Sequence, residues 1–181
     1  MKARDFGWRI GYLIAALGIY LSDQMTKAWA VRVLRFGEMR NLIDGLLAFA
    51  YAENRGIAFG QMQEGGAFGR WVFVVLAAAA AVAVLYYFFR TPRTDDRTLG
   101  ACALLLAGIT GNLTDRVRLG YVVDFIDVHW GTYHWPTFNI ADASICAGAL
   151  LIAYELFFDR KSRSKAQPVL ATENTEGTEK F

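Results

Sequence analysis

The chain has 181 residues, 55% of them hydrophobic and 20% charged, with a formal net charge of +2. Its mean hydropathy is +0.25. A chain this apolar fits a bundle of spanning helices, each needing about 20 apolar residues, better than a soluble core. The small net charge argues against a nucleic-acid partner.

The first apolar segment runs from about Trp8 to Val31, preceded by Lys2 and Arg4, with Arg9 at its start. This resembles a secretory leader, and Ala28-Trp29-Ala30 matches a small-x-small cleavage pattern. Asp23, Gln24 and Lys27 interrupt the run where a cleavable leader is neutral, so it reads as a retained helix with polar groups at its outer end. Trp71 to Phe89 is an uncharged run bracketed by Arg70 and Arg90, the clearest span in the chain. A third helix is expected over about 98–115, meeting Asn112, Asp115 and Arg116 at its end, and a fourth over about 140–158 with Asp142 in its first turn. Trp8, Trp71, Tyr86, Tyr87, Phe157 and Phe158 lie at segment ends, where interfacial rings belong.

Between helices, residues 32–70 and 116–139 form two outer loops. Residues 40–63 mix apolar residues with glycine turns. Residues 121–130 alternate, with Val122, Asp124, Ile126 and Val128 on one side and Tyr121, Val123 and Phe125 on the other, which predicts short strands lying on the membrane surface. The tail 161–181 is polar and reads as a disordered cytoplasmic extension to a 1–160 membrane domain.

Basic residues set the orientation. Lys2, Arg4 and Arg9 precede helix 1; Arg90, Arg93 and Arg97 lie between helices 2 and 3; Arg160, Lys161, Arg163 and Lys165 follow helix 4. The positive-inside rule places these stretches, and so both termini, in the cytoplasm. The polar clusters all fall at the opposite, outer end.

Asp124 and Asp142 head those clusters, in GYVVDF and FNIADAS. Ionisable groups at membrane depth are unfavourable by about 2.5–3.5 kcal/mol each and so tend to mark function. Two close carboxylates share a proton at neutral pH, giving a general base and a general acid in one unit. Spacing alone leaves the alternative open that both are solvated ends, Asp142 at a helix N-terminus. In GNLTDR, residues 111–116, Asn112 and Arg116 are candidates to bind the backbone of an extended peptide, or else belong to a helix end with a local Asp115–Arg116 pair. Asp23 and Lys27 have ion-pair spacing on one helix face. ENRGIAFG, residues 53–60, is a polar-tipped loop with Asn54 and Gly56.

Cys102 and Cys146 fall in apolar runs with no C-x-x-C, and read as buried core thiols. His129 and His134 read as loop residues rather than metal ligands. Zinc-protease, hydrolase-elbow and Walker signatures are missing, and nothing in the sequence asks for a metal or cofactor.

Five strings in order resemble the lipoprotein signal peptidases (signal peptidase II): Asp23-Gln24-x-x-Lys27, Asn54-x-Gly56-x-Ala58-Phe59, Gly111-Asn112-x-x-Asp115-Arg116, Val123-Asp124-Phe125, and Phe138-Asn139-x-Ala141-Asp142. The resemblance spans about residues 8–158. It implies an all-α membrane protein of four transmembrane helices with a small outer, periplasmic β-cradle and loop. It further implies an aspartic endopeptidase of the bacterial inner membrane that cuts diacylglyceryl-modified prolipoproteins just before the lipidated cysteine. On that resemblance Asp124 and Asp142 are catalytic, and Asn54, Gly56, Asn112, Arg116 and Asn139 bind substrate. Asp23, Lys27, Asp115 and Ala141 support the site, and the protein acts as a monomer in contact with membrane lipid. The competing readings are an ion-coupled transporter using the acidic residues as a proton path, and a non-catalytic lipoprotein assembly factor; a presenilin-type peptidase is disfavoured because G-x-G-D is missing.

Overall fold

The computed structural model describes residues 3–56 and 66–159. The expected disordered tail, 161–181, and the Ala58-Phe59 part of the first outer loop lie outside the described residues. Four helices, α1 (Ala3–Val33), α2 (Gly66–Arg90), α3 (Asp96–Arg118) and α4 (Ile140–Tyr154), are joined by one four-stranded sheet. A single π turn, Glu155–Asp159, continues α4. The sheet runs β1 (Arg40–Ile43), β2 (Leu47–Asn54), β3 (Val122–Trp130) and β4 (Tyr133–His134), all antiparallel and in that order.

Local chemistry sets the helix ends. Asp95 accepts a hydrogen bond from the Thr98 amide at 3.0 Å, so α3 starts two residues before the expected Thr98. Asn139 and Asp142 form a reciprocal capping box at the start of α4. Two arginines close C-termini: Arg9 donates to the Phe89 and Thr91 carbonyls at 3.1 and 2.9 Å, and Arg70 donates to the carbonyls of Arg116, at 2.8 Å, and Val117. These contacts put the start of α1 beside the end of α2, and the start of α2 beside the end of α3. The Arg97–Glu155 pair, at 3.2 Å, does the same for the start of α3 and the far end of α4. Successive helices are therefore antiparallel, with the sheet at one end of the bundle.

Among the described residues two helical stretches, Phe68–Arg90 and Ile140–Phe157, are long and apolar enough to cross a membrane. The polar residues of α1 and α3 face inward instead. Asp23, Lys27, Asn112 and Asp115 are buried, while Ile14, Leu17, Leu21, Val75, Val82 and Leu150 are exposed. Cys102 is buried as expected; Cys146 is exposed on the outer face of α4. An apolar run along a helix that can cross a membrane fits outward-facing positions as readily as core ones, and Cys146 is exposed.

α3 packs closely on α4 because glycine faces the contact. A Cβ on Gly108 would collide with the Ala141 carbonyl, and one on Gly148 would sit 2.9 Å from the Ala101 carbonyl. The sheet docks on the end of α1 through Ala30, Leu34, Val123 and Phe125, with Trp29 edge-on to Phe49 at 5.3 Å.

The alternation expected along 121–130 holds only in part. The Phe125 and Ile126 amides both donate to the Phe138 carbonyl, at 3.1 and 2.8 Å, and the β2–β3 register slips between Phe49 and Ala52. This bulge lets Ile126 pack against the same apolar cluster as Phe125 and leaves Asp124 apart from it. His129 and His134 are a cross-strand pair in β3 and β4, not loop residues.

Gly108→Ala should lower the thermal midpoint of the detergent-purified protein by an amount equivalent to about 1–3 kcal/mol of overpacking. Gly100→Ala, in the same helix with open space at its Cβ, should leave the midpoint unchanged or raise it by the equivalent of about 0.5–1 kcal/mol.

Candidate functional site

The site is built outward from a lysine. Lys27 lies one turn beyond Asp23 on α1, at 3% exposure. An ammonium has three donors and no acceptor. Here all three are matched: Asp23 Oδ2 at 2.9 Å, Asp115 Oδ2 at 3.0 Å and Asn112 Oδ1 at 2.9 Å. The Asp115–Arg116 pair considered from sequence does not form this link; Asp115 reaches across to α1. Gln24 closes the gap, donating to Asp23 Oδ2 and Asp115 Oδ1, each at 3.2 Å, and to the Gly111 carbonyl at 3.3 Å. Gly111 must be small, since a Cβ there would lie 2.7 Å from Asp23 Oδ2.

The carboxylates that hold Lys27 also hold backbone. Asp23 Oδ1 accepts from the Ala141 amide at 2.9 Å, and Asp115 Oδ2 accepts from the Val123 amide at 3.2 Å. Those amides immediately precede Asp142 and Asp124. One buried ion cluster thus fixes the chain positions of both aspartates.

Two asparagines complete the link. With its oxygen facing Lys27, Asn112 turns its amide to Asp142 Oδ1 at 2.7 Å. Asn139 touches both aspartates: its side-chain amide donates to Asp124 Oδ1 at 2.6 Å, and its backbone amide donates to Asp142 Oδ2 at 3.2 Å. Its side-chain oxygen accepts from the Asp142 amide at 2.8 Å. Asp142 therefore caps α4, as its place in the first turn suggested, while its side chain joins the same hydrogen-bonded network as the buried Asp124.

Asn54 reaches the pair from β2, donating to Asp124 Oδ2 at 2.9 Å and accepting from the Gly56 amide at 2.9 Å. Gly56 has φ +77°, and a Cβ there would fall 2.7 Å from the Phe73 ring, so conformation and space both demand glycine. Arg116 lies one turn beyond Asn112. It donates to the Asn112 carbonyl at 3.4 Å, and its guanidinium sits 5.5 Å from the centre of the Phe73 ring. It also feels the charges of Asp142, Asp124 and Asp115.

Asp124 is 1% exposed. Burial pushes its carboxyl up to about 6, and the nearby Asp142 charge adds to the rise; the hydrogen bonds from Asn54 and Asn139 and the Lys27 charge oppose it. A carboxyl buried beside a second one, with a raised pKa, suits proton transfer near neutral pH.

All eleven residues expected from the sequence meet here: Asp23, Lys27, Asn54, Gly56, Asn112, Asp115, Arg116, Asp124, Asn139, Ala141 and Asp142. Ala141 contributes its backbone amide. Sequence reasoning passed over Gln24 and Gly111, although both stand inside the quoted strings. It also missed Phe73, which carries no signal of its own within an apolar helix.

A family model described as signal peptidase (SPase) II matches residues 15–158. A lipoprotein signal peptidase of Geobacter sulfurreducens is 43% identical over 152 residues, covering 83% of this chain and 92% of that protein. One from Syntrophotalea carbinolica is 44% identical, covering 84% and 94%, and one from Psychromonas ingrahamii is 37% identical, covering 86% and 88%. Two solved bacterial membrane enzymes share the fold. One is 31% identical with a TM-score of 0.74 over 82% of this chain and 94% of that one; the other is 28% identical with a TM-score of 0.71 over 93% and 94%. The chain belongs to the signal peptidase II family.

Proposed function

We propose that this protein is a membrane aspartic endopeptidase that removes the signal peptide from diacylglyceryl-modified prolipoproteins, with Asp124 and Asp142 as the catalytic pair. The observation that carries the reading is Asn139, which binds both carboxylates at once and holds them in one unit beside a buried ion cluster.

The membrane arrangement is four spans with both termini cytoplasmic and the sheet on the outer face of the inner membrane. Helix lengths support it for three of the spans: α1, α2 and α3, of 31, 25 and 23 residues, reach about 46, 37 and 34 Å at 1.5 Å per residue, against a hydrocarbon core of about 30 Å; α4, of 15 residues, is extended by the π turn Glu155–Asp159. The inward-facing polar residues explain why α1 and α3 are less apolar than α2 and α4. A cleft of about 460 Å³ between α1, α2 and α3 is lined by Leu13, Leu17, Val82, Leu85 and Leu106, with Thr114 among its polar residues. It suits the acyl chains of a lipidated substrate, and α3 leads from Thr114 to Asp115 and Arg116 at the site. A single copy of the chain carries every site residue, consistent with a monomer.

In the proposed reaction Asp142 is the base. Its two oxygens are held by hydrogen bonds from the Asn112 side chain and the Asn139 backbone amide at the start of α4. Asp124, whose burial favours the neutral form, holds the proton. Water attacks the scissile carbonyl carbon and gives a proton to Asp142, while Asp124 protonates the carbonyl oxygen. The tetrahedral intermediate collapses, the C–N bond breaks, and Asp142 returns its proton to the departing amine of the lipidated cysteine. As the carbonyl reforms, its hydroxyl proton returns to Asp124. Asn54 and Arg116 are the groups placed to bind the extended peptide backbone at this depth.

Asp124→Asn and Asp142→Asn should each lower cleavage of a diacylglyceryl-modified precursor by roughly 10³-fold or more while the protein still inserts and purifies. Normal cleavage by either mutant would refute the assignment, and both mutants rescuing a deletion strain would favour an assembly factor.

The pH profile tests which aspartate holds the proton. Asp124 must be protonated, so kcat/KM should fall as pH rises through the Asp124 pKa, about 6 in the free protein. Asn54→Leu removes a hydrogen bond that stabilises the Asp124 anion. It should therefore move that descending limb to higher pH. An ascending limb at this position, or one that Asn54→Leu leaves in place, would assign the proton to Asp142.

A further inference from the structure

A second cluster of ionisable groups lies at the far end of β3, outside the chemistry above. Asp127 and His129 are two residues apart beyond the bulge and share one face of the strand. His134 is the cross-strand partner of His129 on β4, and the two imidazoles stack with centroids 4.9 Å apart and planes 22° apart. Along the strand, Asp127 is about 10 Å from Asp124 at about 3.3 Å per residue.

We propose that Asp127, His129 and His134 form a binding site for a divalent transition-metal ion of the zinc class. The donor set is two imidazoles and one carboxylate, a combination that suits zinc and its neighbours rather than calcium or magnesium. One ligand atom from each residue lies within 4.8 Å of the others. His134 Nδ1 is 2.9 Å and His129 Nδ1 is 3.7 Å from Asp127 Oδ2. Metal–ligand bonds of about 2.0–2.2 Å place tetrahedral ligand atoms about 3.4 Å apart, so side-chain rotation closes the difference. His129 supplies the independent indication. Its side chain is 8% exposed, yet its Nδ1 has no hydrogen-bond partner among the described residues and faces the Asp127 carboxylate. A buried imidazole nitrogen left without a hydrogen bond is unfavourable unless something occupies its lone pair. His134 Nδ1 donates to the Asp127 carboxylate, at 3.0 and 2.9 Å from its two oxygens; metal binding replaces that hydrogen bond and needs the tautomer that keeps the proton on Nε2, with Nδ1 coordinating. Asp127 and His129 are buried, and His134 is half-exposed. The site therefore opens on one side, where water completes the coordination.

Such an ion would clip the two ends of the β3–β4 hairpin beside its two-residue turn at Gly131, which has φ +59°. The hairpin tip carries Trp130 and Tyr133, followed by Trp135, all exposed. Fixing it sets how those aromatic residues meet the membrane interface, without entering the peptidase reaction.

The test is calorimetric titration of Zn²⁺ into the tag-free, metal-stripped protein in detergent, for the wild type and His134→Ala, with thermal midpoints taken with and without Zn²⁺. His134 is half-exposed, so its removal leaves the core intact. The expected result is one saturable Zn²⁺ per chain that raises the midpoint, with affinity at least tenfold weaker and no midpoint rise in His134→Ala. His129→Asn should behave the same way. No saturable binding, or binding that survives His134→Ala undiminished, would overturn the proposal.

Discussion

The structure turns on the buried Lys27 ammonium. Enclosing a charge in an apolar bundle is strongly unfavourable unless every donor and counter-charge is supplied, and here three acceptors from two helices supply them. The two carboxylates that neutralise Lys27 also accept from Gln24 and from the backbone amides just before Asp124 and Asp142. The ion cluster and the aspartate pair are one connected object. α1, α3, α4 and β3 are all tied to it, and changes of packing at Gly108 or Gly111 act on the site through the same contacts.

This arrangement explains how an apolar four-helix fold tolerates so much polarity at one end. The polar side chains of α1 and α3 satisfy each other, and the sheet covers them. β3 contributes Asp124, β2 contributes Asn54, and the Phe138 segment bridges to β3 before Asn139 caps α4. Asn112 takes a hydrogen bond from Lys27 and gives one to Asp142, and Asn139 takes one from the Asp142 backbone amide and gives one to Asp124. In the proposed reaction that polarity matters twice: it holds both oxygens of Asp142 in place, and burial within it raises the Asp124 carboxyl to about 6. In the same proposal the apolar cleft between α1, α2 and α3 takes the acyl chains of the substrate.

Much of this was legible in the sequence. Hydropathy located the four helices, and Asp124, Asp142, Asn54, Asn112 and Arg116 stood out as polar groups beside apolar segments, while the roles expected of the site residues came from the resemblance to signal peptidase II. What the sequence hid depends on three-dimensional neighbours. Asp115 beside Arg116 looks like a local pair, but helix geometry turns it toward Lys27. The period-two pattern of 121–130 conceals a bulge, because two consecutive amides sharing one carbonyl leave no trace in residue type. Cys146 sits in an apolar run yet faces outward, since apolar residues on a spanning helix serve lipid and core alike. His129 and His134 look like loop residues because a two-residue turn at Gly131 brings them together only once the hairpin forms.

The most direct test of the account is the behaviour of Lys27→Met, measured as thermal midpoint and as the cleavage rate of a diacylglyceryl-modified precursor in one preparation. Removing the ammonium leaves Asp23 and Asp115 buried without their counter-charge, unfavourable by about 3–5 kcal/mol, and frees Asn112 to turn away from Asp142. The account predicts a large drop in the midpoint together with loss of cleavage. A protein that keeps both the wild-type midpoint and the wild-type rate would contradict it.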